Sequence, residues 1–322
     1  MRRSFAIPAL VFAALAFAFW SAARWFRINV PFGPSLASLV LLLVPFWFFG
    51  FGWAEFLRAR LPRSARVGAA ILFVTPYLAF ALPLGTFRWP VAAAMIGIAF
   101  TVAVLLEFAA PAGSTLQWQD ALALAIVAAP ILFGWFRSAW PAGGLGGFPK
   151  LLLTDIALYG FLVCRGLPGI AASGQVGYSF IAEWRDAVVG FREWLLFAPF
   201  GIGLGLTLHF IRFGARVPPP GAAAAAWLVT FFLVAVPEEL FFRGLLLNLL
   251  LPRLGSRRAV ALSSILFGLS HFNKGATFNW RYVTLASIAG VFYARAWLDR
   301  RRIFSSAITH TAVDVTWSLW FR

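Results

Sequence analysis

"VPEELFFRGLL", Val236 to Leu246, sets two glutamates and an arginine among valine, leucine and phenylalanine. A charged side chain costs roughly 2.5–3.5 kcal/mol at the centre of an inserting helix. Ionisable groups that persist in such a segment face a bundle interior or a wet cavity, and they mark function. Glu239 and Arg243 are four residues apart, share one helical face and can pair. Glu238 lies about 100° further round the helix, outside that pair. Pro237 suits a first helical turn or a kink, where loosened backbone groups and a water pocket are tolerated. A buried ion-pair latch accounts for Glu239 and Arg243 but gives no reason for Glu238.

The rest of the chain sets the surroundings of this stretch. Of 322 residues, 61% are hydrophobic and 12% charged, where a soluble domain carries about a quarter charged. Mean hydropathy is +0.85. Aromatics reach 17%, which suits lipid-facing surface and interfacial belts. These values describe a polytopic membrane protein. The net charge of +16 falls in short segments between apolar runs, so it reads as a topology signal and no nucleic-acid partner is expected. The single cysteine, Cys164, excludes an internal disulfide and a cysteine zinc cluster, and its apolar surroundings make it packing.

The expected fold is all-α, a transmembrane helical bundle of about eleven spans, each near the ~20 residues that cross a bilayer. The runs are 5–23, 35–55, 67–86, 90–109, 120–136, 149–164, 194–213, 222–250, 259–272, 281–298 and 303–321. The first, "MRRSFAIPALVFAALAF", has the charge and apolarity of a signal peptide. It is too long, and no A-x-A site precedes Arg24, so it reads as a span. Arginines on alternate sides favour a cytoplasmic N-terminus. "IAEWRDAVV" before "GFREWLLFAPF" reads as an interfacial helix entering the seventh span. A soft boundary near residue 190 separates N-terminal helices of unknown role (1–190), expected to hold few buried polar groups, from a core over 191–322.

That core holds the other candidates. His271 follows Phe267 by four residues, and His310 precedes Asp314 by four, so each pair shares a helical face. Phe267 itself reads as lipid-facing bulk or a pocket wall. His209 has no acidic neighbour and reads as interfacial, as do Asp120 and Asp155, each near a span end.

The set Glu238-Glu239-x-x-x-Arg243, Phe267-x-x-x-His271 and His310-x-x-x-Asp314 resembles the three motifs of the CPBP intramembrane proteases. That family includes the Rce1-type CAAX prenyl endopeptidases and bacterial Abi proteins. The resemblance covers about residues 222–318. It implies an intramembrane endopeptidase with Glu238 as general base and His271 helping to hold the water. Glu239 and Arg243 would position Glu238, and His310 with Asp314 would form the oxyanion side. Where the family allows Asn or Asp at the last position, Asp314 when ionised only accepts hydrogen bonds, so it would orient His310 as the donor. The expected partners are a lipid bilayer and a membrane-protein or lipidated-peptide substrate with a C-terminal tail, in a bacterial inner membrane. No cofactor is favoured. The zinc alternative uses His271, His310, Asp314 and Glu238. A non-enzyme alternative is a proton-coupled transporter, which should show paired broken helices in two repeated halves, or an inactive immunity protein.

Overall fold

The computed structural model describes residues 30–109, 115–141, 144–168, 175–214, 219–274 and 278–321, together with 13 and 17. The apolar run 5–23, with its signal-peptide-like start, lies outside the described residues. Among the described residues the regular structure is helical, apart from one isolated antiparallel bridge between Phe213 and Phe321. The chain divides into two compact units, Met1–Ser173 and Gly174–Arg322.

The first unit contains α1 (Phe32–Gly50), α2 (Ala54–Arg60), α3 (Arg63–Ala81, with a tighter turn over Ala70–Val74), α4 (Trp89–Glu107), α5 (Trp118–Phe133) and α6 (Phe148–Leu158). The last continues as a π-helix through Cys164, which is buried. Helix α5 starts on a capping box, Gln117 with Asp120, and ends at Gly134 in the left-handed region. Only glycine takes that conformation without a Cβ penalty.

The polar content of this unit differs from the sequence expectation. Asp120 lies near the start of α5, as the spacing placed it, but inside the protein. Its carboxylate is fully buried and accepts from Arg165 Nε at 2.9 Å. Glu107 likewise takes a two-pronged contact from Arg66, at 2.8 and 2.5 Å. Arg66 also donates to the carbonyls of Arg58 and Leu61. Asp155 is buried as well, and among the described residues its Oδ1 has no hydrogen-bond partner. Asp120 and Glu107 fit the rule that charges placed in an apolar interior persist when each meets a partner with good geometry, and pairs forty or more residues apart in sequence are invisible to a local reading.

The second unit contains α7 (Trp184–Thr207), α8 (Pro220–Leu269), α9 (Trp280–Arg300) and α10 (Ile303–Trp320). Helix α7 is one continuous helix, capped by Glu183 and Asp186. The expected interfacial helix and seventh span are therefore a single element that runs through residue 190. A straight helix of the 50 residues of α8 would be about 75 Å long, against a hydrocarbon core of ~30 Å. It breaks at Gly255, whose φ of 70° and ψ of 168° are not helical. Its two limbs correspond to the runs 222–250 and 259–272.

Helix α7 packs on α9 and α10, and the second limb of α8 packs on α9. Two glycines permit these approaches. A Cβ at Gly268 would lie 2.5 Å from the Val283 carbonyl, and one at Gly190 would lie 2.9 Å from that of Ser305. Ion pairs fasten the helix ends. Asp186 accepts from Arg302 at 2.9 Å and from Ser305 Oγ at 2.9 Å, and Glu193 meets Arg192 at 2.8 Å and Arg295 at 2.9 Å.

Among the described residues five helices are long and apolar enough to cross a bilayer: α1, α3, α4, α7 and α8. Helix α5 is apolar but shorter. Bulky apolar side chains such as Leu72, Trp89, Phe133, Leu195 and Phe200 stand exposed, as they do on a surface solvated by lipid. The protein is an integral membrane protein. Helices α9 and α10 occupy the positions expected for the last two spans but carry more polar side chains. In α10 these include Ser305, Ser306, Thr309 and His310, all buried.

Candidate active site

Three elements of the second unit bring the motif residues together. Around the quoted stretch α8 is unusual: the turn Val236–Glu239 lies between π-helical segments Phe231–Ala235 and Leu240–Leu247. Single π turns inside α-helices recur at functional sites. Glu238 and Glu239 are both buried there, with Arg243 fully so.

Glu239 is the hub. Its Oε1 accepts from Arg243 Nη1 at 3.1 Å and faces His310 Nδ1 at 2.8 Å. Its Oε2 accepts from Ser306 Oγ. The predicted Glu239–Arg243 pair therefore forms, and it extends to His310 across α10. Arg243 also donates from Nη2 to the Gly290 carbonyl at 2.9 Å. Its guanidinium lies over the rings of Phe267 (4.6 Å) and Tyr293 (5.2 Å). A Cβ at Gly290 would stand 3.1 Å from Nη2, so a side chain there would press on the arginine.

His310 is enclosed by acceptors. Nδ1 meets Glu239, while Nε2 lies 3.5 Å from Asp314 Oδ2 and 3.7 Å from Glu238 Oε2. Carboxylates on both sides make the imidazole a donor at each nitrogen. Its ring stacks on Tyr293, centroids 4.6 Å apart and planes 14° from parallel. The His310–Asp314 contact expected from the spacing is present, but the shorter contact that orients the ring comes from Glu239.

His271 has the opposite polarity. Its Nδ1 is 2.9 Å from the Phe267 carbonyl, which can only accept, so Nδ1 carries the proton and Nε2 of a neutral ring is an acceptor. Phe267 is not lipid-facing: it is 2% exposed, and its ring contacts His271, His310, Phe242 and Tyr293. His209 stands apart, exposed in the turn after α7.

A cavity of about 80 Å³ opens beside these groups, room for a few waters. His271, His310, Asp314, Tyr282 and Tyr293 contribute its polar edge, and Phe197, Phe210 and Trp317 are among its apolar walls. Asp314 stands at the rim with its side chain 34% exposed. Glu238 does not line the cavity; it reaches the edge through its approach to His310 Nε2.

The polar edge has the parts that peptide hydrolysis requires: carboxylates to take a proton, an imidazole donor, and a small space shielded by apolar walls. Residues 220–316 match the family model described as Type II CAAX prenyl endopeptidase Rce1-like. This segment is similar to that family. No curated protein and no solved structure matches the chain.

The Rce1-like segment contains Glu238, Glu239, Arg243, His271, His310 and Asp314, and it coincides closely with the stretch marked out by the motifs. The match carries protease activity as its implication. Zinc is the group a metal reading of these residues would require. Both histidines have Nδ1 tied to a protein acceptor with Nε2 turned elsewhere, an arrangement shared by metal ligands and by acid–base histidines. The grouping of side chains is what a metal needs, and among the described residues no three His, Cys, Asp or Glu are gathered to hold one.

Phe267, expected as lipid-facing bulk or a pocket wall, is the wall. Ser306 and Tyr293 were not among the expected site residues. Ser306 had a signal, since it precedes His310 by one turn and shares its face, and Tyr293 had none beyond lying on the same helix as Tyr282.

Proposed function

We propose that residues 191–322 are an intramembrane endopeptidase in which Glu238 activates a water and His310 stabilises the oxyanion. The observation that carries this reading is the opposed polarity of the two histidines at one small cavity: His271 offers an acceptor, His310 a donor.

Glu238 takes a proton from a water standing at the His310 edge of the cavity as the water oxygen bonds to the scissile carbonyl carbon. His271 Nε2 accepts the water's other hydrogen and holds it in line. The carbonyl oxygen gains the electron pair and accepts from His310 Nε2–H. Collapse of the adduct breaks the C–N bond, and the proton held by Glu238 leaves with the amine. One water is consumed and the carboxylate is regenerated. Glu239, held by Arg243 and Ser306, fixes His310 and so acts on the reaction through it.

Substrates of this chemistry are membrane-anchored chains or lipidated peptides presenting a C-terminal tail to the bilayer. The wider reading adds a bundle of eleven spans with its N-terminus in the cytoplasm of a bacterial inner membrane.

The test uses purified protein in liposomes with two probes, a farnesylated peptide ending in a C-a-a-X sequence and an unmodified peptide with an apolar C-terminal tail. Cleavage of either by the wild type, lost in Glu238→Gln and kept after prolonged treatment with a strong chelator, is the expected result. Activity lost on chelation and restored by zinc would replace the glutamate mechanism with a metal one. Cleavage by neither preparation would sink the protease reading.

A further inference from the structure

The site is rich in acceptors and short of donors. Glu238, Glu239 and Asp314 all face His310 within 3.7 Å. An oxyanion needs hydrogen-bond donors placed in advance, commonly two, where its charge develops. His310 Nε2–H supplies one. Asp314, when ionised, supplies none, so the side chain that follows His310 by one turn does not complete the pair.

We infer that the hydroxyl of Tyr293 is the second oxyanion donor. This inference rests on the protease reading. Tyr293 is 2% exposed, yet it lines the same cavity as His310, His271 and Asp314. Its ring lies flat on His310, which fixes its plane relative to the first donor. Helical side chains lean towards the N-terminus of their helix, so the phenol end of Tyr293 leans towards Ala289 and Ala286. Both line the cavity, and neither has the bulk to close it. Among the described residues no protein group accepts the Tyr293 hydroxyl proton. A phenol keeps its proton at neutral pH, so this group is a donor looking for an acceptor. On the protease reading, the cavity its ring borders is the one where the substrate carbonyl would stand.

The position is held from behind. Phe267 meets the ring edge-on at 5.7 Å, and Arg243 lies over it at 5.2 Å. The ring therefore stays in place when the hydroxyl alone is removed.

Tyr293→Phe keeps every ring contact, and its yield and melting temperature should match the wild type. Its kcat on whichever probe peptide the wild type cleaves should fall about 10²–10³-fold, with KM nearly unchanged. A second variant separates a donor from a merely structural ring. Asp314→Asn introduces an amide that can donate, so the loss caused by Tyr293→Phe should shrink at least tenfold in the Asp314→Asn background. A wild type that cleaves while Tyr293→Phe stays within threefold of its kcat overturns the inference and leaves the protease reading standing. Equal losses in both backgrounds also overturn it, because the amide would then have nothing to replace. A wild type that cleaves neither probe removes the protease reading and this inference together.

Discussion

Both units bury arginine against carboxylate, and they do so differently. In the first, Arg165 with Asp120 and Arg66 with Glu107 form contacts in which each guanidinium is spread over a carboxylate or backbone carbonyls. Arg63 also approaches Glu107, at 3.6 Å, so these two carboxylates are matched or outnumbered by arginines. In the second, Glu238, Glu239 and Asp314 face one arginine and one histidine, and the set borders a cavity. A balanced closed pair holds helices together. An unbalanced one beside a water-sized space has acceptors to spare, which proton transfer requires.

The sharpest way to break this contrast is Glu238→Gln. Loss of a general base costs about 10²–10⁴-fold in rate, and here kcat should fall by at least that much while yield and melting temperature stay at wild-type values. A fall in yield of equal size would make Glu238 a structural group like those of the first unit.

Removing one partner of a buried pair costs about 3–5 kcal/mol, because a charge is left uncompensated. Asp120→Ala strands Arg165, so the melting temperature in detergent should drop steeply. The protein that survives purification should cleave at the wild-type rate. Glu239→Gln weakens both Arg243 and His310, and it should lose stability and activity together. If Asp120→Ala abolishes kcat in monodisperse protein, the first unit is part of the machinery.

Ser306→Ala takes one donor from a buried carboxylate, a loss of about 1.5–3 kcal/mol. Thermal unfolding should register it, and kcat should fall with it as His310 loosens. Asp314→Asn has the smallest effect expected, a change in kcat of less than about tenfold, because Asp314 stands at the rim and Glu239 makes the contact that orients His310. A larger loss would move the orienting role to Asp314.

The sequence made legible what lies within one helix. Glu239 with Arg243, and His310 with Asp314, are each one turn apart, and spacing alone places them together. Contacts between helices depend on register, which spacing does not carry. That is why His310 was not foreseen as a partner of Glu239, and why Asp120 appeared to stand alone while its partner lay forty-five residues on. Phe267 illustrates the same limit: in a chain with 36 phenylalanines, only packing distinguishes a ring at the centre of a site from one facing lipid. The Gly255 break was legible as a gap between apolar runs, although not as a bend in one helix.

The π-helical stretch Leu240–Leu247 has a consequence for how this protein can vary. A π turn is an α-helix carrying one residue too many. Deleting a single residue there would restore regular α geometry, and because the wide turn already absorbs the extra residue, the flanking turns would keep close to their present register. What would change is the stretch itself, where Arg243 follows Glu239 by four residues. Chains descended from this one could lose that residue and keep Glu238 and Glu239 turned towards His310, but only those that still brought an arginine within reach of Glu239 would keep the pair.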